Sequence, residues 1–163
     1  MSTSLSPAEL SSGEVSRLAR VTLRQLQWWD ESGVLAVGRK GRLRVWRAPE
    51  VIEVLLAAEL RRKGLSLRVV ARLLRLVRRQ LEELAGTLLE QPAGLYLLTD
   101  GKAAHLERDE KRVIERLKTA RRAMLLVSIS DLAARLRQYL AERRPPASRR
   151  QRPGAANQLP LFG

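Results

Sequence analysis

The chain of 163 residues carries 31 Lys and Arg against 17 Asp and Glu, a net charge of +14 with a pI near 11.5. A polyanion is therefore the first partner to expect. It has no cysteine and one histidine, which excludes disulfides, thiol-based redox or metal sensing and the usual zinc sites. Nearly all of the positive charge is arginine, the side chain that pairs bidentately with phosphate and with guanine edges. Aromatic residues make up only 4% of the chain, so a core must be built from Leu, Val and Ala.

Residues 1–10 are serine-rich and expected to be loose. Two helix starts follow. Ser11 stands three residues before Glu14, and Thr22 three before Gln25; in each pair, hydroxyl and N3 side chain can satisfy each other's backbone amides. Val15, Leu18 and Ala19 repeat at helical spacing in the first helix; Leu26 points inward in the second, and Gly33 suits its left-handed exit. Two short helices joined by a tight turn make a helix-turn-helix. Val37 to Trp46 then reads as a hairpin bending near Gly38 and Gly41, a basic wing with no acidic residue between 36 and 49. Pro49 fits the first turn of a third helix that runs to Lys63 and stops at Gly64. Ser66 caps a fourth, whose apolar face is Val69, Val70, Leu73, Leu74 and Val77. Arg61, Arg62, Lys63, Arg68, Arg72, Arg75, Arg78 and Arg79 are expected on the outside of these helices.

Residues 11–79 resemble the MerR-type transcriptional regulators. The likeness rests on VTLRQLQWWDESGVL at 21–35, GRLRVW at 41–46 and LRRKGLSL at 60–67. The chain departs from the family pattern in two ways: Gln27 replaces an arginine, and Trp28, Trp29 and Trp46 stand where tyrosines are usual. The resemblance implies a homodimer that binds double-stranded DNA in a sequence-specific way and regulates transcription, with RNA polymerase as a further partner. The helix from Thr22 to Ser32 would enter the major groove, with Arg24 and Gln25 at base edges. Gln27, Trp28 and Trp29 would meet the backbone, and Arg39, Lys40, Arg42, Arg44 and Trp46 would act from the wing. Lys63 and Arg68 are further candidates for phosphate, against the commoner reading of a solvated basic face.

Val77, Leu81, Leu84 and Leu88 repeat with coiled-coil spacing. They can be read as a short dimerisation helix over 80–92, interrupted at Gly86, or as leucines packing onto the third helix. Pro92 and Gly94 mark a boundary, after which residues 93–143 predict a small α+β dimerisation or effector domain of order ββαβα. Asp100-Gly101 forms its hairpin bend, Asp109 caps a helix whose inner face is Val113, Ile114 and Leu117, residues 123–129 form a buried strand, and Ser130 caps the last helix.

The expected fold class is thus mainly α with small β elements: a winged helix-turn-helix, a small ββαβα unit and a disordered basic tail over 144–163. The tail ends in QLPLFG, which resembles the peptide by which bacterial proteins dock on the replication sliding clamp. Gln158 would place the chain, with Leu159, Leu161 and Phe162 entering apolar pockets. A DNA-associated adaptor recruited to that clamp is the alternative function.

His105 stands alone on a strand, and the acidic residues at 100, 109, 110 and 131 fall at turns and caps. No nucleophile–base set, phosphate loop or metal motif is present, so no enzymatic activity and no cofactor are expected. The N-terminus lacks the pattern of a secretion signal, and no apolar run approaches the ~20 residues of a membrane span. A cytoplasmic, nucleoid-associated protein without membrane contact is expected.

Overall fold

The Ser11 hydroxyl accepts from the Glu14 amide while the Glu14 carboxylate accepts from the Ser11 amide, and this reciprocal pair starts α1 (Ser12–Ala19). Thr22 and Gln25 start α2 (Leu23–Glu31) in the same way. Between the two helices Arg20 takes a left-handed conformation, φ 58°, the one positive φ outside glycine among the described residues. The structure, a computed structural model, describes residues 9–35, 38–40, 43–91 and 93–143. The clamp-like peptide Gln158, Leu159, Leu161 and Phe162 lies outside them.

Strands β1 (Gly38–Lys40) and β2 (Leu43–Val45) pair antiparallel, Arg39 opposite Arg44. The hairpin is tied to the start of the chain by reciprocal backbone bonds between Leu10 and Trp46, at 2.8 and 3.0 Å. Pro49 lies in the first turn of α3 (Ala48–Arg62). The Ser66 hydroxyl caps α4 (Leu67–Glu90) by accepting from the Val69 amide.

α4 runs unbroken for 24 residues, so the interruption expected at Gly86 does not occur. A glycine inside a helix costs only ~1 kcal/mol relative to alanine. Burial of Leu81, Ala85 and Leu88 on the same face outweighs that cost. The ββαβα order is as expected: β3 (Tyr96–Thr99), β4 (Ala104–Glu107), α5 (Glu110–Thr119), β5 (Leu125–Ser128) and α6 (Ile129–Glu142). β3 lies between β4 and β5 and is antiparallel to both. Asp100 Oδ1 accepts from the amides of Lys102 and Ala103, both at 2.9 Å, and Gly101 takes φ 92° in a four-residue bend. The last helix is capped by Ser128 rather than Ser130. β5 passes into α6 without a loop, so the backbone turns two residues earlier, and the Ser130 amide bonds the Leu95 carbonyl.

One hydrophobic core joins the two halves. Leu95, Leu97, Val127, Ile129, Leu132, Ala133 and Leu136 share it with the buried faces of α1 to α4. Val77, Leu81 and Leu88 are 1%, 1% and 4% exposed, and Leu84 is half-buried. The expected dimerisation seam is therefore interior to the chain, because α3 on one side and α6 with the second sheet on the other already cover it. Leu81→Ala is expected to cost about 2–5 kcal/mol by leaving a cavity without changing the association state. Denaturant unfolding alongside sedimentation checks this; dissociation at unchanged stability would restore the seam.

Candidate nucleic-acid interface

The α2 helix turns Leu26 and Trp29 into the core, a spacing of three that leaves the opposite face in solvent. Thr22, Arg24, Gln25, Gln27, Trp28 and Glu31 are exposed there and line a shallow groove. Arg24 has no acidic partner among the described residues. Gln25 is partly committed: its Oε1 accepts from the Thr22 amide at 3.0 Å and the Thr22 hydroxyl at 3.3 Å. A bidentate pair with adenine needs both ends of the amide, so as it stands Gln25 offers only its Nε2 donors. Gln27 donates to Glu31 Oε1 at 2.9 Å. Trp28 is 56% exposed, a broad apolar surface in the middle of this face.

Two of the three tryptophans expected at the DNA backbone are in the core instead. Trp29 falls on the Leu26 face by helical spacing and is buried. Trp46 is 0% exposed, and its indole N–H donates to the Ser12 hydroxyl at 2.9 Å. That N–H is the only hydrogen-bonding group an indole has, so Trp46 joins the wing to α1 and leaves nothing to offer a phosphate.

Arg44 sits with Nε 2.6 Å from Asp30 Oδ2 and Nη2 3.7 Å from Glu31 Oε1. The residue read as a phosphate ligand thus ties the wing to the last turn of α2. Arg39 and Lys40 lie in β1; their side chains, and the whole of Arg42, are outside the described residues. Lys63 ends α3 with Nζ 3.8 Å from Glu59. Arg68 lies in the first turn of α4, exposed and without an acidic partner among the described residues.

Arg78, expected on the outside, turns inward instead. Its Nε and Nη2 both lie 2.8 Å from Glu53 Oε1, and Nη2 also donates to the Val34 carbonyl at 3.0 Å. The turn leaving α2 is thereby bolted to α3 and α4. The signal in the sequence was Glu53 itself, a lone carboxylate within the apolar run VIEVLL. Burial pushes the Glu53 carboxyl up to about 7, against the opposing pull of the Arg78 guanidinium.

A second set of contacts comes from α6. Arg135 donates to the Leu18 carbonyl at 2.8 Å, in the last turn of α1 where carbonyls lack helical partners. Tyr139 donates to Glu14 Oε1 at 3.0 Å, and Arg143 lies 3.1 Å from the same oxygen while donating to the Glu9 carbonyl at 2.7 Å. Glu14 is the N3 member of the first capping box; burial pushes its carboxyl up, but the Ser11 amide, the Tyr139 hydroxyl and the Arg143 guanidinium together hold it below the ordinary range.

Among the described residues no group of acidic or histidine side chains is placed to hold a metal ion, and no helix is long and apolar enough to cross a membrane. Two capped helices, an exposed polar face on the second and a hairpin beside it define a winged helix-turn-helix of the DNA-binding kind. Residues 10–77 match the family model for MerR HTH family regulatory proteins. That segment, from the bridge at Leu10 to the middle of α4, is a MerR-type helix-turn-helix domain, and it supports reading the chain as a DNA-binding transcription regulator. No curated protein matches the chain.

The buried carboxyl gives a pH signature. With a folded pKa of about 7 against an ordinary carboxyl value of 4.5, protonated Glu53 stabilises the fold fully below about 4.5. That contribution is lost as pH rises through about 7, on the order of 3 kcal/mol in all. Glu53→Gln is expected to remove this decline, as denaturant unfolding at pH 5, 6 and 8 would show. An equal slope in both proteins would place the titration elsewhere.

Proposed function

We propose that the protein is a sequence-specific regulator that binds double-stranded DNA as a homodimer, with α2 in the major groove and the hairpin against the flanking backbone. The observation that carries this is the exposed face of α2, polar, partly uncompensated and held by the core and by the Arg78 bolt, within the segment that matches the family. Arg24 is the residue assigned to a guanine edge, a contact of ~1–3 kcal/mol in discrimination. Thr22, Gln25 and Gln27 supply hydrogen-bonding groups beside it, and Trp28 lies flat against sugar and backbone. Arg39, Lys40, Arg42, Lys63 and Arg68 supply charge to phosphates. Arg44 acts from behind, holding the wing at its angle through Asp30. RNA polymerase is the partner that the family resemblance suggests. The two copies would meet through a surface other than Val77–Leu88, which the chain's own core covers.

Selection of bound duplexes from a random library at near-physiological salt tests the reading; an inverted repeat is the expected result, and efficient binding without an enriched motif would overturn it. Neutralising about six phosphates per dimer should give a slope of log affinity against log salt near −5. Arg24→Ala is expected to flatten sequence preference. Arg44→Ala should weaken binding to every duplex with little change in slope, because its charge is already compensated by carboxylates. A slope that drops with Arg44→Ala would return that side chain to the phosphate.

The terminal QLPLF supports a second reading, a DNA-associated adaptor carried to the sliding clamp. Clamp pull-down with the wild-type protein and a Leu161→Ala/Phe162→Ala variant separates the two, equal recovery removing the adaptor.

A further inference from the structure

We propose that the outer face of α4 is a phosphate-binding surface for duplex DNA flanking the site read by α2, an inference that rests on the DNA-binding reading above. Val70, Leu73, Leu74, Val77 and Leu81 turn one side of α4 into the core. Arg68, Arg72, Arg75 and Arg79 follow at spacings of four, three and four and so fall in one stripe on the opposite side. All four are exposed. At 1.5 Å of rise per residue the stripe is ~16 Å long, comparable with the rise of about five successive phosphates on one strand.

The charge of the stripe is poorly compensated, and this sets it apart from other arginines of the fold. Arg44 lies against Asp30, Arg62 and Lys63 against Glu59, and Arg116 against Glu107. Along the stripe, Arg68 and Arg75 have no acidic partner among the described residues. Arg79 meets only Glu83, at 3.5 Å with side chains 91% and 65% exposed, a pair of little strength in water. Arg72 donates to the Gly101 carbonyl at 2.7 Å, a contact that keeps its charge and sets the exposed Lys102 beside the stripe. Like charges three or four residues apart cost a helix roughly 0.2–0.5 kcal/mol per pair, and three such pairs occur here in sequence. A phosphate backbone would turn that repulsion into attraction, and the arginine fork matches its geometry. The stripe begins at Arg68, itself assigned to phosphate above, so it extends that interface along the helix.

The test compares full-length wild type with Arg75→Gln/Arg79→Gln and Arg75→Lys/Arg79→Lys, on a selected duplex with and without flanking DNA, over a range of salt. Arg72 is left in place because it holds the hairpin. On the flanked duplex the Gln variant is expected to show a slope shallower by about 2 per bound protomer, and a loss of affinity near physiological salt of about ten- to thirty-fold for each protomer. Its order of preference among sequences should be unchanged, and the Lys variant should keep the wild-type slope. A Gln variant with the wild-type slope on flanked DNA overturns the stripe while leaving the DNA-binding reading intact. Wild type without affinity for any duplex overturns both.

Discussion

A single guanidinium organises the helix-turn-helix. Arg78 reaches from α4 to Glu53 on α3 and to the Val34 carbonyl just beyond α2. α2 has nine residues, too few to be helical alone in water, so its direction must come from what holds it. Leu26 and Trp29 fix its rotation, and the bond at Val34 fixes where it ends. A buried ion pair contributes little net stability compared with a well-packed apolar pair; the raised pKa of Glu53 shows desolvation outweighing the pull of the arginine. What the pair supplies is a tie, since one guanidinium meets an acceptor on α3 and another just beyond the end of α2.

The C-terminal unit holds the same helix pair from the other side. Arg135, Tyr139 and Arg143 of α6 and its end meet the last turn of α1, the capping glutamate and the segment before it. The contacts fall where α1 has orphan carbonyls and where its first turn depends on Glu14. The ββαβα unit is therefore not an appendage joined by a linker. Its last helix completes the core over α3 and α4 and supplies partners that α1 lacks.

The arginines divide by what they meet. Arg44, Arg78 and Arg116 lie against carboxylates and act as struts, whereas Arg24, Arg68 and Arg75 have no acidic partner among the described residues. Composition alone could not make this division. A net charge of +14 says that a polyanion is welcome; only geometry says which cations are left to receive it.

Local chemistry was readable without coordinates. The boxes at Ser11 and Thr22, the caps at Ser66 and Asp109, the bend at Asp100-Gly101 and the ββαβα order all depend on residues within a few positions of one another. What only tertiary structure decided were contacts between distant positions. Trp46 meets Ser12 across 34 residues, Arg78 meets Glu53 across 25, and Arg135 meets Leu18 across 117. The leucines at 77, 81, 84 and 88 show the limit plainly. Their spacing states that one face of α4 must be covered, and a partner helix or the chain's own α6 would satisfy it equally well. Sequence determined the elements and most of their apolar faces, because propensity, capping and periodicity are local. On α5 only Val113 of the expected inner face is buried, while Ile114 and Leu117 stay exposed because nothing among the described residues covers them. Tertiary structure decided what covers each face and which charges are neutralised, because burial and pairing depend on groups the chain brings together only by folding.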